Sequence, residues 1–291
     1  MKDKVILITG GTGGIGKETA LGLAKLGAHI VITGRDRQRA ANTVAEIKQA
    51  TGNNKIEAMT ADLSSLAEVR RLAQEFQASH ARLDVLINNA GGLYGKRWET
   101  ADGLEAMQMM NNVAPFALTQ VLLPLLKASA PSRVINVTGG SPAKPDVNDL
   151  QAKQFYRGFD SYTRTKSVMM LVTRELARQL QGSGVGVFVA YPGLAASDMT
   201  NPMTPDMFPG FIRIVWPVFR LVMGNSSAAK AAASSIYASS TSDLDNKTDL
   251  YIQTGGKLAS WPKFTEDTAM AKQLYTQTEK WATQSVSVPQ I

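Results

Sequence analysis

Seven short apolar runs alternate with long amphipathic segments along the 291 residues of this chain. Each run is continuously apolar, which is typical of strands covered on both faces. Strands of this kind, joined by helical crossovers, predict an α/β fold: a doubly wound, Rossmann-type, mostly parallel sheet of about seven strands with helices on both faces. The predicted strands are Val5–Thr9, His29–Thr33, Ile56–Thr60, Val85–Asn88, Arg133–Val137, Val185–Tyr191 and Leu250–Thr254.

The connections between these runs show helical spacing, and no low-complexity linker divides them, so we expect one domain, 1–291. One segment, Thr200–Asn225, interrupts the alternation of strand-like and helix-like segments, because it is rich in Pro, Met and aromatic residues. Ligands of such folds bind beyond the carboxyl ends of the strands. Since this segment follows the sixth strand, we expect a lid over the substrate, with an ordinary packed excursion as the alternative. The predicted helices are Gly16–Leu26, Asp36–Ala50, Ser65–His80, Leu104–Ala128, Tyr162–Gln181 and Thr268–Trp281.

A glycine-rich loop, Thr9-Gly10-Gly11-Thr12-Gly13-Gly14-Ile15-Gly16, follows the first predicted strand and opens the first helix. This is the context that dinucleotide binding requires, although a glycine-rich turn without a ligand would read the same. Gly10 would permit the tight turn, Gly14 the close approach of a pyrophosphate and Gly16 the contact between helix and strand. The free N–H groups of the helix N-terminus would then bind phosphate oxygens.

The end of the second predicted strand bears on the choice of cofactor. An acidic residue there would bind a ribose 2′-hydroxyl, but the chain has Gly34 followed by Arg35. A small residue leaves room, and a guanidinium can clamp a 2′-phosphate through two hydrogen bonds. We therefore expect NADP(H) in preference to NAD(H). The alternative is a solvated Arg35 beside an Asp36 that only caps the next helix.

Tyr162 and Lys166 stand four residues apart and so share one face of a predicted helix. A neighbouring ammonium favours tyrosinate and lowers the pKa of the phenol toward working pH. Such a tyrosine can give a proton to a carbonyl oxygen as hydride arrives, or take one from an alcohol. Tyr162 is thus the candidate general acid/base and Lys166 its activator, although a surface helix could carry the same pair.

These features together resemble the short-chain dehydrogenase/reductase family. The resemblance covers the chain from residue 4 to about residue 256. Within the family, the chain is similar to the retinol dehydrogenase-like branch. The motifs that carry the family resemblance are the glycine loop, Ala61-Asp62-Leu63, Asn88-Asn89-Ala90-Gly91 and Tyr162-x3-Lys166. Those similar to the branch are Gly14-Ile15-Gly16-Lys17-Glu18-Thr19-Ala20, Gly34-Arg35-Asp36 and Tyr191-Pro192-Gly193.

The resemblance implies further site residues. Asn111 would hold a water that links Lys166 to solvent, with Asn112 as the alternative register. Asp62 would contact adenine unless it caps a helix, and Asn88 would stabilise the central sheet. The residues expected to bind the cofactor are Gly10, Thr12, Gly14, Ile15, Gly16, Arg35, Asp62, Leu63, Asn89, Ala90, Gly91, Tyr162, Lys166, Pro192, Gly193, Leu194 and Ser197.

The fifth predicted strand departs from the family pattern, which places a catalytic serine at the position of Gly139. Losing one preorganised donor typically costs about 10²–10³ in rate. Three interpretations follow. Ser141 could swing in through the Gly139-Gly140 pair; a substrate hydroxyl, a water or Thr138 could supply the bond; or the redox chemistry could be weakened, lost or replaced.

Composition limits the remaining possibilities. The chain has no cysteine, which excludes disulfides, thiolate zinc sites and a cysteine nucleophile, and with only two histidines, His29 and His80, we expect no metal site. The net charge of 31 − 24 = +7 comes from dispersed residues, so we expect no nucleic-acid partner. The apolar stretches are too short or too interrupted for a signal peptide or an integral membrane span, the nearest being Phe208–Met223.

We therefore expect a cytoplasmic, NADP(H)-dependent oxidoreductase that interconverts a carbonyl and an alcohol on an apolar small molecule. Tyr162, Lys166, Asn111 and provisionally Ser141 are its expected catalytic residues. The alternative, kept open by Gly139, is a cofactor-binding protein of the same fold with non-redox or lost catalysis. The sequence leaves the oligomeric state open between a homodimer and a monomer.

Overall fold

A computed structural model of the chain describes residues 1–139, 143–193, 203–208, 210, 216–217 and 227–284. In these residues eight strands form one sheet with the order β3-β2-β1-β4-β5-β6-β7-β8. The first seven are mutually parallel and β8 is antiparallel to β7. The strands are β1 Val5–Ile8, β2 His29–Gly34, β3 Ile56–Thr60, β4 Val85–Asn88, β5 Ser132–Val137, β6 Val185–Ala190, β7 Leu250–Gln253 and β8 Lys257–Ala259.

Helices connect the strands and cover both faces of the sheet. In the described part of the chain they are α1 Gly14–Lys25, α2 Arg37–Thr51, α3 Leu66–Ser79, α4 Ala106–Gln108, α5 Ala114–Ala128, α6 Gly158–Gln179, α7 Ala228–Ser240 and α8 Thr268–Thr283. A π-helical turn, Met109–Val113, joins α4 to α5. Short 3₁₀ turns occur at Pro205–Met207, Ser242–Leu244, Thr254–Gly256 and Lys263–Glu266.

The continuous apolar runs are explained by burial on both faces. Along β1, Leu7 packs into a core layer with Leu72 of α3, whereas its neighbour Ile6 packs into a second layer with Leu23 of α1. Successive side chains of a strand point to opposite faces, so a strand between two helical layers needs apolar residues at every position. The predicted fold class, a doubly wound and mostly parallel sheet, is confirmed.

The eighth strand was not predicted from the sequence. It is only three residues long and follows a turn in which Gly255 and Gly256 both have positive φ, 76° and 80°. Its first residue, Lys257, is exposed, so the run has no apolar signature. Trp261 fixes the end of this hairpin, because its ring stacks on Tyr251 with centroids 5.6 Å apart and its indole N–H donates to the Asp249 carbonyl at 3.0 Å.

In the described residues, the helix with the composition of a membrane span is not Phe208–Met223, the stretch that the sequence placed nearest to one. The helical stretch Ala106–Ala128 is long and apolar enough to cross a membrane by composition. An 18-residue window within it has a mean hydropathy of 1.3, but 67% of this window is buried inside the protein. It is therefore weak evidence for a membrane span, since core helices have the same properties. The earlier candidate, Phe208–Met223, lies mostly outside the described residues.

Candidate active site and cofactor cavity

A cavity of about 280 Å³ opens beyond the carboxyl ends of β1, β2 and β4. Carboxyl ends of parallel strands are where such folds bind ligands. Most of the residues expected to bind the cofactor line it: Gly10, Thr12, Gly14, Ile15, Gly16, Arg35, Leu63, Asn89, Ala90 and Gly91. The glycine loop and the end of β4 thus form two walls of one cavity.

The glycine loop has the close contacts that its sequence suggested. Gly10 has φ of +66°, the left-handed region that favours glycine. A Cβ at Gly16 would clash with the Gly10 carbonyl oxygen and lie 2.5 Å from the Asn89 amide nitrogen. Asn89 Nδ2 itself donates to the carbonyls of Thr9 and Gly10, at 2.9 and 3.2 Å. The start of α1 is therefore held tightly against β1 and β4.

The first turn of α1 is suited to an anion. Gly13 precedes the helix without a side-chain cap, and the first turn contains no acidic residue. Helix N-termini leave backbone N–H groups unpaired and carry a partial positive charge. Because Gly13, Gly14 and Ile15 line the cavity, these donors border it. The cradle fits the pyrophosphate of a dinucleotide.

Two arginines stand at the far end of the cavity. Arg35 lines it as expected, and so does Arg39, which no motif indicated; Arg39 Nε donates to the Thr12 carbonyl at 3.1 Å. Asp36 caps α2 by accepting from the Arg39 N–H at 2.9 Å, so the capping role and the cavity position of Arg35 coexist. None of the described residues that line the cavity is acidic.

The reason for glycine at position 34 differs from the expected one. A Cβ at Gly34 would lie 2.5 Å from Cγ2 of Thr12 and 2.9 Å from its hydroxyl. The space that the glycine leaves is thus occupied by the Thr12 side chain of the glycine loop. Gly34 allows β2 and the loop to pack together, and the cavity wall at this point is Thr12.

Asn111 lies in the π-helical turn and points toward the end of β4. Its Oδ1 accepts from the Gly92 N–H at 2.8 Å, and its Nδ2 donates to the Gly92 carbonyl at 2.9 Å and to the Thr165 hydroxyl at 3.0 Å. Asn112 instead donates to Thr278 of α8 at 2.9 Å. Asn111 therefore faces α6, which carries Tyr162 and Lys166, whereas Asn112 belongs to the core.

Lys166 is almost fully buried, with 4% of its surface exposed. Its Nζ donates to the Val137 carbonyl at 2.9 Å, and burial lowers its pKa to about 8. A Cβ at Gly91 would lie 3.4 Å from this Nζ and 2.8 Å from Oδ1 of Asn111. The ammonium, the Asn111 amide and the backbone of the loop after β4 thus meet at one place beside the cavity.

The expected effect of Lys166 on Tyr162 is not what the structure shows. Lys166 Nζ lies 6.0 Å from the centroid of the Tyr162 ring, and burial raises the pKa of the phenol well above its usual range. The predicted lowering of that pKa is wrong for this structure because the loss of hydration, and after it the neighbouring Tyr191, disfavours the charged phenolate. Tyr162 is held as the neutral phenol at neutral pH.

The structure explains why position 139 is occupied by glycine. A Cβ at this position would fall within clashing distance of the Tyr162 hydroxyl and 3.4 Å from its Cζ. The phenol therefore occupies the space where the family's serine side chain would begin. Thr138, the preceding residue, has a buried hydroxyl that bonds to no described residue, whereas Ser141 lies outside the described residues.

Other expected cofactor contacts lie away from the cavity or outside the described residues. Asp62 Oδ1 accepts from the backbone and hydroxyl of Ser64, at 3.0 and 2.8 Å, and Ser65 rather than Asp62 caps α3. The expected contacts that do not line the cavity are Asp62, Tyr162, Lys166, Pro192 and Gly193, and Leu194 and Ser197 are not described. Tyr94 and Met110 line it without having been predicted, because isolated residues of these types carry no motif.

Apolar side chains surround Tyr162. It packs in a cluster with Leu93 and Met107 and with three residues of the segment 200–225, Met203, Met207 and Phe208. Phe159 of α6 stacks on Phe208 with ring centroids 4.7 Å apart. This part of the expected lid is therefore in contact with the elements that carry the candidate general acid/base.

Comparison with known proteins agrees with this arrangement. The chain is 33% identical over 282 residues to retinol dehydrogenase 13 of Mus musculus, which covers 95% of this chain and 83% of that protein. It is 35% identical over 269 residues to retinol dehydrogenase 14 of Homo sapiens, covering 87% and 78% of the two chains.

Two solved structures are also similar. An uncharacterised protein from Mycobacterium paratuberculosis has a TM-score of 0.76 and 26% identity, covering 99% of this chain and 96% of its own. The Pseudomonas aeruginosa RhlG/NADP active-site complex has a TM-score of 0.67 and 32% identity, covering 88% and 96%. The family model for short chain dehydrogenase matches residues 4–207. The chain therefore belongs to the short-chain dehydrogenase family of oxidoreductases.

Proposed function

We propose that this protein is an NADP(H)-dependent oxidoreductase that interconverts a carbonyl and an alcohol on an apolar small molecule. The observation that carries the cofactor choice is the pair Arg35 and Arg39 at one end of a cavity whose described lining has no carboxylate. A 2′-phosphate would be neutralised there, whereas a bare ribose would find no acidic acceptor. The NADP in the similar RhlG complex is consistent with this choice.

The residues around Tyr162 suit proton transfer to a carbonyl oxygen. The bound nicotinamide would supply the hydride. Because the raised pKa of Tyr162 keeps its phenol protonated at neutral pH, the hydroxyl is in the state that donates to a substrate oxygen. Lys166 and Asn111, which lie beside the loop after β4 at the edge of the cavity, would hold the proton path to solvent.

The apolar cluster around Tyr162 supports the substrate class. Met203, Met207 and Phe208 contact it from the segment 200–225, which we propose to be a lid on the single domain. Such a wall favours a substrate with a large apolar part because each buried apolar Å² contributes about 25 cal/mol. The similar mammalian proteins are named for retinol, a largely apolar alcohol.

Replacement of Arg35 by alanine tests the cofactor choice. We expect NADPH to bind about 10–100-fold more weakly, since a charge-assisted hydrogen bond contributes about 1.5–3 kcal/mol. NADH affinity should change little. Isothermal titration of both cofactors measures the difference, with Arg37→Ala as the control because Arg37 is also exposed and does not line the cavity. Equal losses for the two cofactors would contradict the proposed 2′-phosphate contact.

A second function remains a candidate because of Gly139: a cofactor-binding protein without redox turnover. The two functions differ in what Gly139→Ala should do. In an oxidoreductase, the new Cβ must displace the Tyr162 hydroxyl, so we expect hydride transfer to fall by about tenfold or more while NADPH affinity is kept. Stopped-flow oxidation of NADPH with a panel of apolar aldehydes and ketones measures this effect.

Thermal unfolding of Gly139→Ala serves as the control, since a folded variant must be compared with the parent chain. NADPH binding by the parent chain without turnover on any member of the panel would favour the second function. Turnover by Gly139→Ala at the parent rate would show that the position of the Tyr162 hydroxyl is not limiting.

A further inference from the structure

The two histidines of the chain come together far from the cofactor cavity. His29 begins β2, His80 follows the last residue of α3, and Glu57 is the second residue of the edge strand β3. His29 Nε2 is in direct contact with Glu57 Oε1, and His80 Nε2 lies 3.7 Å from the same oxygen. All three ligand atoms lie within 4.8 Å of one another. We call this group the His–Glu cluster.

The fold places these three side chains on one face of the sheet edge. Glu57 pairs in register with Val31, so His29, two residues earlier, points to the same face. That face is covered by α3, whose final residue leads directly into His80. The cluster therefore joins three elements that are distant in sequence, which is why sequence spacing gave no signal for it.

The His80 ring is held in the tautomer that a metal needs. Ser79 Oγ lies 2.8 Å from the Glu75 carbonyl and 2.9 Å from Nδ1 of His80. A hydroxyl has one hydrogen, so a hydroxyl that donates to Glu75 must accept from Nδ1–H. This network assigns the proton to Nδ1 and leaves the Nε2 lone pair facing Glu57. Phe76 stacks on the ring at 4.4 Å and fixes its plane.

The surroundings give the cluster both support and access. The His80 side chain is 7% exposed, the His29 side chain 24% and the Glu57 side chain 50%. The two histidine side chains are thus mostly buried at the edge of the sheet, whereas the Glu57 carboxylate is half exposed to water. A partner that orients the second nitrogen of a ligating histidine is the arrangement typical of metal sites.

We propose that the His–Glu cluster binds a divalent transition metal ion, with zinc as the reference ion. His29 Nε2, His80 Nε2 and a Glu57 oxygen would supply three ligands, and water would complete a tetrahedral site. Imidazole with one carboxylate suits zinc and its neighbours in the transition series better than magnesium or calcium, which prefer oxygen ligands alone.

The proposed ion would act on stability and not on the redox reaction. His29 and Gly34 are at opposite ends of β2, and five steps of about 3.3 Å separate them by about 16 Å. The ion would tie β2, the edge strand β3 and the end of α3 together. Binding to the folded chain alone would raise its unfolding temperature.

Nuclear magnetic resonance of the histidine rings is the direct test, because the full chain contains only these two histidines and no cysteine. Tag-free, ¹⁵N-labelled protein freed of metal with a chelator is titrated with zinc chloride. We expect the Nε2 resonances of both rings to shift and to saturate at one equivalent, with magnesium chloride causing no shift. Unchanged ring resonances in saturating zinc would overturn the proposal, and this measurement needs no variant.

Calorimetry on variants then assigns the ligands. His29→Gln, His80→Gln and Glu57→Gln should each weaken zinc binding more than the roughly 10–100-fold loss typical of orienting partners, and Ser79→Ala should show a loss within that range. Glu279→Gln, an exposed carboxylate on α8, is the matched control and should bind as the parent does. Zinc affinity unchanged in the two histidine variants would overturn the assignment, whereas NADPH affinity should be the same in all of them.

Discussion

Replacing Lys166 by methionine is expected to stabilise the protein while abolishing its reaction. Burial lowers the pKa of Lys166 from 10.5 to about 8, a difference that corresponds to about 3 kcal/mol against the folded, charged form. Methionine fills a similar volume without charge. The Val137 carbonyl, left without its partner, costs about 1–3 kcal/mol, so only a small net gain in the free energy of unfolding should remain at pH 7.

The pH dependence gives a second measure of the same effect. Between pH 8 and 10 the unfolded chain still holds the Lys166 proton that the folded chain has released, so stability rises with pH in this window. The free-energy cost of burying the charged Lys166 is fully present below pH 8. Urea unfolding from pH 7 to 10 should show this rise for the parent chain and not for Lys166→Met, with exposed Lys272→Met as the control. A variant less stable than the parent at pH 7 would contradict the assigned burial cost.

Tyr162→Phe is expected to lower the rate of hydride transfer by about 10²–10⁴, the range that general acid catalysis contributes. The ring stays packed among Leu93, Met107 and Phe208, so the fold and NADPH affinity should be kept. Single-turnover oxidation of bound NADPH measures the rate. Tyr237→Phe, which removes a hydroxyl bonded to Asp243 on the other side of the sheet, is the control. A loss of less than tenfold would assign the proton to another group.

The architecture could be predicted because local pattern and burial agree. Runs such as Val5–Ile8 are apolar at every position since each is covered twice, and Asp36 and Ser65 cap the helices that the spacing predicted. β8 could not be predicted, since its three residues depend on pairing with β7 and on the contacts of Trp261 with that strand and its start. Local sequence predicts the elements that are determined by residues near them in the chain. The hairpin of β7 and β8 is determined by tertiary packing instead.

The site was less predictable for the same reason. Motifs indicated the walls of the cavity, but Arg39 and Tyr94 reach it only through the packing of α2 and of the loop after β4. The pKa of Tyr162 was predicted in the wrong direction because spacing along a helix reports the presence of Lys166 and not the depth of burial. The His–Glu cluster joins three separate elements, so no spacing in the sequence indicates it.

The π-helical turn at Met109–Val113 has a consequence for how this chain can vary. One surplus residue in a helix rotates everything beyond it by about 100° relative to an uninterrupted helix. Every residue from Leu104 to Thr119 is buried, so neighbouring elements surround both halves of this helix, and each side is packed against particular side chains. Deleting any one residue there would restore a regular helix and turn one half by about 100° against the side chains that surround it. Substitutions can accumulate along this helix, but a length change within it would have to be compensated in the same step.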